Sequence, residues 1–79
     1  MDVDNPITQS IAAQLRARMA EKKIAVKELA EDTGIKLVSL SRYINGKRDI
    51  PASTFAIICG SLGLDGGKVL NEALKEFTG

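Results

Sequence analysis

Apolar residues recur along this chain at helical spacing in five separate segments, with no sustained alternation of period two. After Pro6, which suits a first helical turn, Ile7, Ile11, Leu15 and Met19 follow at steps of four and predict a helix over about residues 6–21. "EKKIA" breaks that pattern. "VKELAEDT", about 26–33, predicts a short second helix with Leu29 and Ala30 turned inward, ended by Gly34, because glycine accepts the left-handed geometry that follows a helix. A third helix is expected from about Lys36 to Asn45, stopped by Gly46 for the same reason. Pro51 opens a fourth, "PASTFAIICGSL", in which Phe55, Ile58, Cys59 and Leu62 form one stripe and Gly63 closes the helix. "DGG" separates it from a fifth, about 67–77, with Val69, Leu70, Ala73, Leu74 and Phe77 along one side. Residues 1–5 read as a loose tail. No repeat, low-complexity segment or dividing linker is present, so the expectation is a single all-α domain of five helices over 6–79.

The third helix has two unlike faces. At about 100° per residue, Leu40, Tyr43 and Ile44 point one way with Leu37 at their flank. Val38, Ser41, Arg42 and Asn45 point the other way, with Ser39 at the edge. The second and third helices, joined by a tight glycine turn, have the form of a helix-turn-helix over about 26–45, whose second helix can enter the major groove of DNA. Ala30 is the small residue that lets the two helices cross closely, and Ile35 fills the corner between them.

Length and composition narrow the choices. Seventy-nine residues form one small domain, which buries about 60% of its unfolded surface. The single cysteine excludes an internal disulfide, and no histidine with one thiol excludes a structural zinc site of the usual kind. Stability is therefore expected from helix packing, self-association or both. No cofactor motif and no small-molecule site is evident. The N-terminus "MDVDNPITQS" is acidic and polar, the reverse of a signal peptide, and no apolar run approaches a membrane span. The expected location is cytoplasmic, with the nucleoid.

Net charge is only +1, from 11 basic and 10 acidic residues, so its distribution matters more than its total. Residues 14–27 carry Arg16, Arg18, Lys22, Lys23 and Lys27 against Glu21 alone, and 36–48 add Lys36, Arg42, Lys47 and Arg48 with no acid. Such runs predict a basic face turned to a polyanion. Catalysis has little support: histidine is absent, no glycine-rich phosphate loop exists, and Glu28, Glu31 and Asp32 sit beside lysines on what reads as a solvated face. Cys59 falls on an apolar stripe, where a thiol acts as a small hydrophobe.

Taken together, Leu29-Ala30, Gly34-Ile35, Leu40-Ser41-Arg42, Asn45-Gly46-Lys47-Arg48 and the Leu62-Gly63 exit resemble the helix-turn-helix of the phage-repressor family, the Cro and lambda-repressor-like group. The resemblance covers about residues 7–64, and the fifth helix fits the same fold. It implies sequence-specific DNA binding, usually by a homodimer that represses transcription. By position, Lys36, Leu37, Val38, Ser39 and Arg42 fall where the family touches base edges, and Asn45, Lys47 and Arg48 where it holds phosphates. Lys27 falls near the backbone, at the start of the supporting helix. The chemistry agrees: Arg42 can grip guanine bidentately, Val38 can pack on a thymine methyl, and Ser39 can bond base or phosphate. Two positions depart from the pattern. Val26 stands where a glutamine is common, and Leu37 stands where the first reading residue is often long and polar. Ala25 and Lys36 likewise replace the usual hydroxyl caps.

The reading is therefore a non-enzymatic, double-stranded-DNA-binding transcriptional regulator, a phage or bacterial repressor acting on a pseudo-palindromic operator. Val69, Leu70, Ala73, Leu74 and Phe77 are its expected dimerisation stripe. The alternative is a protein-interaction module or antitoxin-type partner built on the same fold.

Overall fold

A computed structural model describes the backbone of residues 5–78 and the side chains of residues 5–76. Residues 1–4 of the expected tail, and the side chain of Phe77 in the expected dimerisation stripe, lie outside the described residues. Among the described residues there are five α-helices and no strand: α1 (Pro6–Lys22), α2 (Val26–Thr33), α3 (Leu37–Ile44), α4 (Ala52–Leu62) and α5 (Gly66–Thr78).

The helix ends show why the boundaries fall where they do. Asn5 opens α1 by accepting the Ile7 N–H at 2.8 Å on its side-chain oxygen, with Pro6 in the first turn. The helix closes at Lys23, which adopts a left-handed φ of 56° without being glycine. Its N–H reaches Ala20 O at 3.2 Å, and Ile24 N–H reaches Met19 O at 2.9 Å, so two of the terminal carbonyls are satisfied and Ile24 packs against the core. In α2 the Glu28 carboxylate accepts the Ala25 N–H at 3.0 Å. That is half of a capping box, since Ala25 has no side-chain acceptor to complete it. Lys36 and Asn45 are the cap residues of α3 and so stand just outside it, and Pro51 is the cap of α4. At α5 the expectation missed a cap: Asp65 Oδ1 accepts the N–H groups of Gly67 and Lys68 at 2.9 and 3.3 Å, and the helix starts at Gly66.

Leu15, Leu29, Leu40, Ile58 and Leu62, one or two from each of α1 to α4, are fully buried and meet at the centre. Each large apolar side chain removed from water there contributes about 1.5–3 kcal/mol to the drive to fold. α2 packs on both α3 and α4, while α1 lies along α5. That last contact corrects the expected dimerisation stripe. Among the described side chains of that stripe, Val69 is 3% exposed and Ala73 fully buried, so both belong to the chain's own core, while Leu70 (43%) and Leu74 (48%) present their surface outward. A single apolar stripe on a terminal helix does not by itself distinguish packing within the chain from packing between chains.

Candidate nucleic-acid interface

The geometry of α3 depends on the turn before it. Gly34 takes a φ of 77°, and its N–H bonds Ala30 O at 2.9 Å. The Thr33 hydroxyl donates to Leu29 O at 2.8 Å and accepts the Ile35 N–H at 3.3 Å. Ile35 and Ala30 are half-buried against the core, filling the corner as their sizes suggested.

With that corner held, α3 anchors Leu40 and Ile44 inward and turns its other side to solvent. Val38 is 65% exposed and Leu37 48%. Lys36, Arg42 and Asn45 are exposed as well, whereas Ser39 and Ser41 are half-buried. Beyond the helix, Lys47 and Arg48 are exposed in the segment that leads to α4, and Lys27 is exposed on the first turn of α2. The helix end is held by Asn45, Gly46 and Lys47, whose N–H groups bond Ser41 O, Tyr43 O and Arg42 O at 3.0, 3.2 and 2.9 Å.

Gly46 is one position where glycine is required. Its φ is 69°, and a Cβ there would lie 2.5 Å from Gln9 Oε1. Gln9 approaches that closely because its Nε2 donates to Gly46 O at 2.8 Å.

The cations divide into two groups. Arg16 donates through Nη1 to Ile44 O at 2.8 Å, and Arg18 through Nε to Leu62 O at 3.1 Å and through Nη2 to Gly63 O at 3.4 Å. Both therefore satisfy terminal carbonyls of α3 and α4 from α1. Lys27, Lys36, Arg42, Lys47 and Arg48 have no side-chain hydrogen bond or ion pair among the described residues. Sequence reading counted Arg16 and Arg18 as part of a basic face. It could not see that they are occupied, because their partners lie 28 and 44 residues away. Asn45 is also engaged: its amide Nδ2 donates to Ser41 O at 2.9 Å.

Other features carry no competing chemistry. An apolar groove of about 500 Å³ behind α3 is walled by Ile11, Tyr43, Ile50, Phe55 and Leu70, with the Thr8 hydroxyl donating to Asp49 at its rim. Cys59 is 3% exposed, and burial, with the Asp65 carboxylate adding to it, raises its thiol above the ordinary pKa. It stays protonated at neutral pH as a small core residue. No described helix is long and apolar enough to cross a membrane.

Comparison with known proteins agrees with this arrangement. The Cro/C1-type HTH DNA-binding domain matches residues 14–70. An uncharacterized HTH-type transcriptional regulator of Bacillus subtilis, YozG, is 35% identical over 71 residues, which are 89% of this chain and 84% of that one. The HTH-type transcriptional repressor RghR of the same organism is 42% identical over 43 residues, 54% of this chain and 32% of RghR. Among solved structures, the clp gene regulator ClgR of Corynebacterium glutamicum superimposes with a TM-score of 0.77 at 28% identity, covering 89% of this chain and 91% of that one.

Proposed function

The chain belongs to the Cro/C1-type helix-turn-helix family of DNA-binding transcriptional regulators, and from that premise we propose that it is a sequence-specific repressor reading the major groove with α3. The observation that carries this reading is the set of exposed cations around one exposed helix face, without protein partners among the described residues. Arg42, at its centre, reads guanine, with Lys36, Leu37, Val38 and Ser39 completing the contact with base edges. Lys27, Lys47 and Arg48 hold phosphates and so set register without specifying sequence. Asn45 is a lesser phosphate ligand, because one of its two amide N–H groups is engaged by Ser41 O. The site of action is DNA in the cytoplasm.

The operator is pseudo-palindromic and the active form a homodimer. Leu70, which lines the groove behind α3, and Leu74, both exposed on α5, provide the self-complementary apolar contact. Sedimentation over a concentration series with and without DNA tests this; a strict monomer that binds single half-sites overturns it.

Affinity for random DNA over a salt series tests the reading as a whole. Each neutralised phosphate releases counterions, so the affinity of the parent protein should fall steeply with salt. Lys47→Ala should weaken binding to all sequences alike and reduce the slope by about one unit. A parent slope near zero would instead favour a protein-interaction role for the same fold.

A further inference from the structure

The first turn of α3 presents its two large apolar side chains to water, Leu37 at 48% and Val38 at 65% exposure. Neither has a polar atom, so neither can read the donor and acceptor pattern of a base edge. They nevertheless stand at the end of α3 that leads into the groove, since recognition helices of this motif contact bases with their N-terminal residues. Lys36 immediately precedes them, and Arg42 follows Val38 by one turn on the same face, so the apolar pair is bracketed by exposed cations. A polyanion covers this patch more readily than an apolar protein surface, which would have to desolvate both charges.

In the major groove the apolar group offered by an unmodified base pair is the C5-methyl of thymine. We infer that Leu37 and Val38 read pyrimidine C5-methyl groups on neighbouring base pairs, so the preferred site carries thymine there and 5-methylcytosine recovers part of the contact. The side chains are suited to it. Val38 is β-branched, and in a helix its χ1 is nearly fixed, so its methyls are presented without a search among rotamers. Leu37 lies one turn before the buried Leu40 and has about half its surface packed, which steadies its outer half. The inference rests on α3 entering the major groove.

The test begins with a site selected from random DNA, in which each thymine in turn is replaced by deoxyuridine, removing one methyl and nothing else. Two neighbouring positions in each half-site should weaken binding roughly threefold to fivefold each, the factor expected for one buried methyl group. Exchanging those T·A pairs for C·G should weaken binding further, and methylating the new cytosine at C5 should recover a similar factor. In Leu37→Ser/Val38→Ser, compared at a temperature where the variant is fully folded, the thymine–deoxyuridine difference should vanish relative to the variant's own affinity for random DNA. If every deoxyuridine site binds like the parent while random DNA is still bound in a salt-dependent way, methyl reading is overturned and the DNA-binding role stands. If the difference survives in the double variant, the methyls are read elsewhere and the assignment to Leu37 and Val38 is overturned. Loss of all salt-dependent DNA binding by the parent protein overturns both.

Discussion

Two segments of this chain are rich in cations, and the fold uses their arginines in opposite ways. In residues 14–27, Arg16 and Arg18 lie along α1 and cap the carbonyl ends of α3 and α4. In residues 36–48, Lys36, Arg42, Lys47 and Arg48 reach no protein group among the described residues. Composition does not distinguish the two segments. What differs is whether a helix C-terminus is within reach, and that depends on which helices cross. A guanidinium already bonded to backbone carbonyls is part of the scaffold, whereas a cation with only water around it remains available to a phosphate or a base.

The largest effect should come from removing what both segments depend on. Leu40 is fully buried on the inner face of α3, and Leu40→Ala leaves a cavity costing about 2–5 kcal/mol. A small domain has little stability to lose, so thermal melting should fall sharply and DNA binding should go with it. A variant that melts normally would mean that α3 is not anchored through this residue.

Arg42→Ala should separate reading from folding. Arg42 is exposed and has no partner among the described residues, so the melt should move by less than ~0.5 kcal/mol. Affinity for the best site should drop by about 1–3 kcal/mol with preference relaxed at one base pair, and random-sequence affinity should change far less. If specificity is untouched, Arg42 is a solubilising charge and the reading passes to Lys36 and Ser39.

Arg16→Ala should do the reverse on a smaller scale. It removes a charged donor from Ile44 O, a loss on the order of 1 kcal/mol in stability. Once the variant is compared at a temperature where it is fully folded, the salt slope of DNA binding should match the parent. A reduced slope would place Arg16 among the phosphate ligands and weaken the division between the two segments.

How much of this was legible in the sequence follows from the range of the interactions involved. The ends of α2 are legible, because Gly34 and the interruption of the apolar spacing at "EKKIA" are local signals and both act locally in the structure. The two faces of α3 were legible for a similar reason: helical period alone separates Leu40 and Ile44 from Val38 and Arg42. The corner packing of Ala30 and Ile35 followed from size and position. The start of α5 was legible too and was missed, since Asp65 stands where a cap would stand but was read as part of a separator. The long-range bonds could not be read at all. Gln9 to Gly46, Gln14 Nε2 to Val69 O at 3.0 Å and the two arginine caps join residues 28 to 55 positions apart, and no periodicity encodes which carbonyl a side chain will meet. The same limit explains Val69 and Ala73, whose partner surface is α1 rather than a second chain.

Lys23 offers the finest test of the comparison, because it lies in the first segment yet its side chain caps nothing. Its backbone holds a φ of 56° to close α1, a conformation that costs a non-glycine L-residue roughly 1–2 kcal/mol. Lys23→Gly removes that strain, and the greater freedom of glycine in the unfolded chain offsets part of the gain. The expected net change is a stabilisation of about 0.5–1 kcal/mol, read as a melting temperature higher by a few degrees. The N–H groups of residues 23 and 24 keep their bonds to Ala20 O and Met19 O, so the path of the chain into α2 is preserved. The charge is lost at the same time, which makes DNA binding the second readout. If the end of α1 belongs to the scaffold with Arg16 and Arg18, Lys23→Gly should bind random DNA with the parent salt slope while melting higher. A slope lower by about one unit would show that a phosphate meets the end of α1, and the basic surface would then extend beyond α2, α3 and the segment that follows them.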